Sequence, residues 1–417
     1  AMAGLSGSTL LEEPQAAFYA WIHGAGGKWR DQVKMGDLIL VTDVGGGTTD
    51  LSLIQVSEEE GELALERVAV GKHLLVGGDN MDLTLAYFIA NRMASSGQKL
   101  DAHQMRGLCH GCRTAKEHLF EKEGPESFPI TILSRGSRLI GGSIKTELVR
   151  NEMEDVLTKG FFPPCDSAVQ PKEQVRTGVR ELGLSYASDP AITHHLAHFL
   201  GRQGSDAGPA CPTAVLFNGG VMKAKGLRRR VLNVLGSWAE EAGRKPPREI
   251  GIDDFDLAVA RGAACYGLAR RGRGIRIRGG LSRSYYIGME ASFPAVPGMP
   301  TPVKALCVAP FGMEEGTDAS LAEREFGLVV GEPVRFDFLG STSRQNDRIG
   351  TVVEDWEGDI EKITTVETVL EGVAGTVLPV TMDIRVTEVG TLELWCVSTE
   401  TDHKYRLEFN VRERAEE

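Results

Sequence analysis

The hydrophobic pattern of this chain changes once, near residue 285. Before that point, short apolar runs typical of buried strands alternate with longer segments whose apolar residues recur at helical spacing. This order of strands and helices predicts an α/β fold. After residue 285, segments of alternating polarity follow one another between turn residues, and no strong helical pattern intervenes. The second region is therefore predicted to be an all-β sandwich.

The predicted domains are residues 1–280 and 285–417, with the glycine- and arginine-rich residues 270–284 as a linker. Predicted strands of the first region lie near residues 38–42, 51–56, 64–70 and 213–217, and its helices near 81–94, 103–121, 144–158, 191–201, 224–241 and 256–270. Predicted strands of the second region lie near residues 302–308, 326–339, 350–356, 362–370, 377–386, 391–398 and 404–411. Residues 159–212 fit less well and are predicted to be an insertion ending in a helix capped by Asp189.

Composition excludes several functional classes. The hydrophobic fraction is 41% and the charged fraction 25%, as in ordinary globular proteins. No apolar run approaches the roughly 20 residues that cross a bilayer, so no membrane role is expected. A net charge of −12 argues against general nucleic-acid binding, although the arginines of residues 270–284 leave an RNA-binding tract as the alternative to a linker. Seven scattered cysteines predict reduced thiols in the cytoplasm.

The segment Asp43-Val-Gly-Gly-Gly-Thr-Thr-Asp50 carries the most chemical information. Apolar strands flank it, so its glycines are predicted to form a hairpin turn. Gly45, Gly46 and Gly47 let backbone N–H groups approach phosphate oxygens without interference from a Cβ atom. Asp43 and Asp50 are placed to orient the water shell of Mg²⁺, and Thr48 adds a hydroxyl. The alternative is an ordinary glycine hairpin with solvated acids.

This segment resembles the second phosphate loop of the actin-like (ribonuclease H-like) ATPase superfamily, and the chain as a whole is similar to the 70-kilodalton heat-shock chaperones in a divergent, bacterial form. Five other segments occur in the family's order over some 250 residues. They are Leu11-Glu-Glu-Pro-Gln-Ala-Ala17, Val76-Gly-Gly-Asp-Asn-Met-Asp82, Arg113-Thr-Ala-Lys116, Leu216-Phe-Asn-Gly-Gly-Val-Met-Lys223 and Asp256-Leu-Ala-Val-Ala-Arg-Gly-Ala-Ala264.

The resemblance implies ATP or ADP with Mg²⁺ as ligands. It implies a catalytic group of Glu13, Asp43, Thr48 and Asp50, with Asp43 and Asp50 holding the metal through water. Nucleotide contacts are implied for Gly45, Gly46, Gly47, Gly77, Gly78, Arg113, Lys116, Gly219, Gly220, Lys223 and Asp256. Gly219-Gly220 lies between a strand and a helix, which suits close approach to a nucleotide.

Three departures from the family matter. Arg113 replaces an acid that the family uses near the ribose, and Lys223 replaces an arginine, which stacks better on a base. The family's first lobe, with a catalytic lysine, would precede residue 1. Because phosphoryl transfer needs positioning from both sides, this chain alone is expected to show no appreciable ATPase activity.

The second region is similar to the family's peptide-binding sandwich at Val380–Thr399, Val334–Ser341 and residues 346–350. The resemblance implies that an extended apolar peptide lies in a channel there, held by main-chain hydrogen bonds and an apolar pocket. The residues that line this channel are not assigned by the sequence. The family's helical lid would follow residue 417, and the family's linker is acidic where this one is basic.

Two smaller motifs allow alternatives. His194 and His198 stand at i, i+4 on a predicted helix, a spacing that can ligate zinc. No acid or cysteine is expected to complete a ligand set nearby, and a packed or solvated helix face is preferred. Cys109 and Cys112 form a Cys-x-x-Cys within a predicted helix, where packing is preferred over redox or metal chemistry.

Two functions remain open. The first is a chaperone that binds ATP in the α/β region and unfolded polypeptide in the β region, with co-chaperones as further partners. The second is a non-enzymatic nucleotide-binding scaffold or co-chaperone whose β region docks a folded protein. A small-molecule kinase of the same superfamily is a distant third, because the β region suits a peptide binder better.

Overall fold

The computed structural model describes residues 11–59, 62–121, 124–133, 143–172, 187–204, 208–251, 254–271, 273, 275, 277–281, 283–292, 301–314, 316–341, 343–344, 346–387 and 391–411. The chain divides into two compact units. The α/β unit comprises Glu13–Ala64 and Ala69–Arg276, and the β unit comprises Ala1–Glu12, Leu65–Val68 and Ile277–Glu417. No helix in these described ranges is both long and apolar enough to cross a membrane.

The α/β unit alternates strands and helices. Its helices are α1 (Glu13–Ala25), α2 (Trp29–Gln32), α3 (Gly78–Ser95), α4 (Ala102–Glu121), α5 (Arg150–Phe161), α6 (Ile192–Arg202), α7 (Lys225–Glu241) and α8 (Ala258–Ala269), with 3-10 turns at Gly26–Lys28 and Gly220–Lys223. Its strands are β1 (Leu38–Val44), β2 (Thr49–Glu59), β3 (Glu62–Val70), β4 (Ser127–Leu133), β5 (Ser143–Val149), β6 (Ala214–Asn218) and β7 (Arg248–Ile250).

The central sheet of the α/β unit places β1 in the middle. The strand order is β7-β6-β1-β2-β3, with β1 antiparallel to β2 and parallel to β6. Strand β1 is buried from Ile39 to Val44, and β6 is buried along its whole length, as expected for strands covered by helices on both faces. The ends of β1 and β6 therefore meet at the same edge of the sheet, where Asp43 pairs in register with Asn218.

The β unit contains two five-stranded sheets. A further short strand, β8 (Arg278–Gly279), belongs to neither sheet and pairs in parallel with Glu66 and Arg67 of β3. The strands of the two sheets are β9 (Ser284–Glu290), β10 (Val303–Ala309), β11 (Thr317–Ser320), β12 (Phe326–Val330), β13 (Pro333–Ser341), β14 (Val352–Val353), β15 (Glu361–Val369), β16 (Thr376–Val386), β17 (Thr391–Ser398) and β18 (Lys404–Asn410). One sheet has the order β14-β10-β9-β13-β15, and the other has β11-β16-β17-β18 with β12 also on β16. Buried side chains from both sheets form one core.

Most predicted elements are present, and three predictions are wrong. The helix predicted at 144–158 begins at Arg150, because residues 143–149 form a strand that pairs with β4. The strand predicted at 326–339 is two strands, β12 and β13, separated by a turn at Gly331, whose φ of 79° suits glycine.

The third error concerns the start of α6. Asp189 is not its cap: the N-cap is Ala191, whose N–H donates to Asp189 at 3.0 Å. Two other predictions fall partly outside the described residues. These parts are residues 173–186 and 205–207 of the insertion and residues 272, 274, 276 and 282 of the linker.

Candidate functional site

The glycine-rich hairpin joins β1 to β2 with the two acids face to face. Asp43 pairs in register with Asp50, and Val44 pairs with Thr49, so residues 45–48 form the turn. The turn is closed by a hydrogen bond from Gly45 N–H to the Thr48 carbonyl at 2.9 Å. The N–H groups of Gly46 and Gly47 have no hydrogen-bond partner in the described part of the chain. These two donors are therefore available to an anionic ligand.

The start of α3 is docked on this hairpin through its backbone. Gly78 N–H donates to the Gly45 carbonyl at 3.0 Å, and Asp79 N–H donates to the Gly46 carbonyl at 2.7 Å. A Cβ atom on Gly77 would lie 2.7 Å from both of these carbonyl oxygens. Glycine at 77 thus permits two chain segments that are distant in sequence to touch main chain to main chain.

A third glycine segment approaches the same place from β6. Gly219 has a φ of 88°, and a Cβ atom there would lie 2.3 Å from the Val44 carbonyl oxygen and 2.7 Å from Asp43 Oδ1. A side chain at this position would clash with the hairpin and strain the backbone. By contrast, Gly220 has open space around its Cβ position. The structure therefore brings the hairpin, Gly77-Gly78 and Gly219-Gly220 together.

The acids at the hairpin are held in an environment that favours a cation. Asp43 is only 2% exposed and accepts a hydrogen bond from Asn218 Nδ2 at 2.8 Å. Burial raises the pKa of Asp43 to about 7 despite the hydrogen bond from Asn218, and the charges of Glu13 and Asp50 add to the rise. A nearby cation would relieve this cost of ionising Asp43. The residues present therefore fit a bound Mg²⁺.

The other three residues of the predicted catalytic group lie in the hairpin segment and at the start of α1. Glu13 is exposed at the first residue of α1. Thr48 is half-buried in the turn. Asp50 contacts His73 Nδ1 at 2.7 Å, a partner that the sequence did not indicate. Asn218 was also missed, although its place directly before Gly219-Gly220 at the end of a buried strand could have identified it.

A cleft of about 310 Å³ opens beside the hairpin. Its lining includes the predicted residues Gly46, Gly78, Arg113, Lys116, Gly220 and Lys223. Sequence reasoning missed Asp79, Asp82, Glu117, Phe120 and Glu121, which also line it. Each basic side chain is ion-paired: Arg113 with Asp79 and Asp82, Lys116 with Asp82, and Lys223 with Asp256. Asp256 is thus adjacent to the cleft through Lys223.

Two comparisons with known proteins bear on this arrangement. Residues 1–180 match the family model described as Hsp70 protein. A stretch of 122 residues is 31% identical to the chaperone protein HscA homolog of Acinetobacter baylyi (strain ATCC 33305 / BD413 / ADP1), covering 29% of this chain and 18% of that relative's length. The first 180 of the 417 residues are thus similar to the Hsp70 family, and the chain spans less than a fifth of the length of the curated relative that it matches. The resemblance inferred from the motifs is supported for this part of the chain.

Among the described residues, the structure shows both smaller motifs in packing contacts and hydrogen bonds. His194 Nδ1 contacts Asp189 at 2.8 Å, and His198 contacts Gln170. Cys112 is fully buried, and burial raises the pKa of its thiol to about 12. No group of three or more His, Cys, Asp or Glu side chains arranged to hold a metal ion directly is found among the described residues.

The β unit has a cavity of about 1060 Å³ between its two sheets. Its apolar lining includes Met289, Val334 and Phe336 from one sheet and Met382 and Cys396 from the other. Strand β9 pairs with β13 only from Ser284 to Ile287. Beyond Ile287, β9 continues to pair with β10, and β13 continues to pair with β15, but β9 and β13 no longer pair with each other. The sheet therefore separates between β9 and β13 at residues that line the cavity. Sequence reasoning left these lining residues unassigned.

Proposed function

We propose that this chain is the nucleotide- and client-binding part of a cytoplasmic Hsp70-type chaperone. The α/β unit binds ATP or ADP with Mg²⁺, and the β unit binds extended segments of unfolded polypeptide. The observation that carries the proposal is the meeting of three glycine segments, residues 45–47, 77–78 and 219–220, at one buried acid. The similarity of residues 1–180 to the Hsp70 family and the cavity of the β unit support it.

The hairpin is the phosphate-binding element in this proposal. The free N–H groups of Gly46 and Gly47 donate to phosphate oxygens. Mg²⁺ prefers to keep several bound waters, and Asp43 and Asp50 accept hydrogen bonds from these waters. Glu13, at the start of α1, accepts a hydrogen bond from the same water shell. Thr48 contributes its hydroxyl at the turn. When bound, Mg²⁺ neutralises phosphate charge and lowers the cost of ionising Asp43.

The cleft beside the hairpin receives the nucleoside. Gly78, Lys116, Gly220 and Lys223 line it, so the segments implied by the resemblance lie on its walls. Three other predicted residues contribute without lining the cleft. The missing side chains of Gly77 and Gly219 allow the walls to approach the hairpin, and Asp256 forms an ion pair with Lys223. Arg113 is held by Asp79 and Asp82 and does not replace the missing acid.

The β unit binds polypeptide where its sheet divides. Met289 and Glu290 of β9 have no partner on β13 among the described strand pairs, and Val334 and Arg335 of β13 have none on β9. Strand ends of this kind offer main-chain groups to an extended peptide. The cavity beneath them accepts its apolar side chains.

Two titrations of the whole chain test this proposal. Fluorescence anisotropy of a labelled, extended apolar peptide should show saturable binding, and calorimetry should show that ADP binds more tightly with Mg²⁺ than with a chelator. Failure of both in folded protein would refute the proposal. A folded β-rich protein of similar size and charge, titrated in parallel, controls for nonspecific association.

A nucleotide-binding scaffold remains the second candidate. The observation that favours it is that Arg113 and Lys223 are both ion-paired with acids of the protein, as in a site adapted to hold a ligand rather than to turn it over. Mg²⁺-dependent ADP binding without any peptide binding would support this candidate, with the β unit then docking a folded partner.

A further inference from the structure

The two acids of the hairpin belong to a row of side chains that crosses the edge of the central sheet. In the strand register, Asp43 of β1 lies beside Asp50 of β2 on one side and beside Asn218 of β6 on the other. Side chains of residues paired in this way lie on the same face of a sheet. Like charges directly opposite each other are destabilising, so two ionised carboxylates at these positions need other partners.

A fourth chain segment, residues 71–76, extends this row beyond β2. Thr49 and Leu74 form an antiparallel bridge and exchange both main-chain hydrogen bonds, at 2.9 and 3.1 Å. In an antiparallel register the residues next to such a bridge also face each other, so His73 lies opposite Asp50. Main-chain hydrogen bonds therefore fix the position of His73 beside the hairpin, although its side chain is 62% exposed.

Each acid is bonded to the residue at its own end of the row. Asn218 Nδ2 donates to Asp43 Oδ2 at 2.8 Å, and His73 Nδ1 lies 2.7 Å from Asp50 Oδ1. Because an ionised carboxylate only accepts hydrogen bonds, the His73 nitrogen in this contact carries the proton. In the part of the chain that the structure describes, Asp43 Oδ1 and Asp50 Oδ2 have no hydrogen-bond partner. The row thus has a donor at each end and one unused carboxylate oxygen on each acid.

We propose that Asn218 and His73 are positioning residues that orient Asp43 and Asp50 toward the water shell of Mg²⁺. Each donor holds one carboxylate oxygen, so the other oxygen keeps a fixed direction in which it accepts a hydrogen bond from a metal-bound water. Donors behind a metal site commonly set the orientation of the groups in front of them in this way. The assignment rests on the proposed function, because it concerns the Mg²⁺ bound with the nucleotide.

Calorimetry with ADP tests this assignment through the ratio of the Kd in a chelator to the Kd with Mg²⁺. His73→Phe keeps a ring and removes the donor, and the ratio should fall about threefold, a small effect because His73 is exposed. His73→Asn, whose amide nitrogen can replace Nδ1, should restore the ratio. His103→Phe is the matched control, since His103 is exposed on α4 outside the cleft lining, and it should leave the ratio unchanged.

Asn218→Leu removes the buried donor at similar size, and the ratio should fall about tenfold, as expected for a lost hydrogen bond to a charged group. Thermal unfolding shows whether this variant folds, and the exposed His73 variants decide the matter if it does not. A residue that only stabilised the fold would change the melting temperature and not the ratio. An unchanged ratio in His73→Phe, or an equal fall in His73→Phe and His73→Asn, would overturn the assignment while leaving nucleotide binding intact. No ADP binding to wild-type protein would instead refute the proposed function, and this inference with it.

Discussion

The two candidate sites of this chain differ in whether backbone or side chains form them. At the hairpin of the α/β unit, main chain meets main chain, and the missing side chains of Gly77 and Gly219 define the geometry. In the β unit, half-buried side chains such as Met289, Val334 and Phe336 line a cavity between two sheets. The first site should therefore tolerate no added atom at Gly77 or Gly219, whereas the second should tolerate apolar exchanges and fail when a charge is introduced.

The largest effect is expected from Gly219→Ala. Its Cβ atom would lie 2.3 Å from the Val44 carbonyl oxygen, at a φ of 88°. Strain and overpacking together should lower the free energy of unfolding by about 4 kcal/mol or more. Gly220→Ala is the matched control, because its Cβ would meet open space. Urea unfolding of both variants measures the difference, and equal stabilities would show that Gly219 does not fix the hairpin.

A second large effect is expected from Asp43→Asn. The carboxyl of Asp43 has a pKa of about 7 in the folded protein against 3.8 unfolded, because burial disfavours its charge. Between these values the folded state binds more protons, so without metal the stability of wild-type protein should fall as pH rises from about 4 to about 7. Asparagine removes this cost and should stabilise the metal-free protein at pH 8 by about 4 kcal/mol.

Thermal unfolding at pH 5 and pH 8, with and without Mg²⁺, checks this prediction. Wild-type protein should regain stability with Mg²⁺ at pH 8, whereas Asp43→Asn should not respond to the metal. Asp31→Asn controls for a general effect of charge, since Asp31 is an exposed acid in α2 outside the hairpin. A wild-type stability that is independent of pH in this range would contradict the raised pKa of Asp43.

The contrast between the sites also explains what could be predicted from sequence. The hairpin was predictable because its glycines and acids are neighbours in the chain, and an even turn places Asp43 opposite Asp50. The cavity of the β unit could not be predicted, because the residues that line it come from strands far apart in sequence. The segment Ser143–Val149 was mispredicted as helix because pairing with Ser127–Leu133, a tertiary contact, decides its conformation. The ion pairs of Arg113 with Asp79 and Asp82 likewise depend on how α3 packs on α4.

The β-unit cavity should lose peptide affinity when a charge is placed in its wall. Val334→Asp puts a carboxylate on the apolar lining, and peptide affinity should fall by about tenfold or more, because an apolar side chain would bury that charge. Val377→Asp is the matched control, since Val377 is 60% exposed and lies outside the lining. Val334→Ile, which keeps the wall apolar, should retain binding. Anisotropy titrations that show equal losses for both aspartates would place the peptide elsewhere.

The smallest effect is expected at the rim of the same cavity. Three acids, Glu290, Glu325 and Glu332, line it without an ion pair among the described residues. Of the basic lining residues, Lys304 is paired with Glu354 and Arg335 with Asp337, and Arg324 lies over the Phe326 ring. The rim is therefore more acidic than basic, and it should favour peptides whose apolar residues are flanked by lysine over those flanked by glutamate.

Because these rim charges are exposed, the preference should be only about two- to fivefold at low salt and should disappear near 1 M salt. Glu332→Gln should reduce it, and Glu400→Gln, an exposed acid outside the lining, should not. A preference that persists at high salt would mean that the flanking residues are recognised by contact rather than by charge. Recognition at the rim would then depend on close fit between atoms, as the geometry of the hairpin does. The contrast between the two sites would be weaker than the structure indicates.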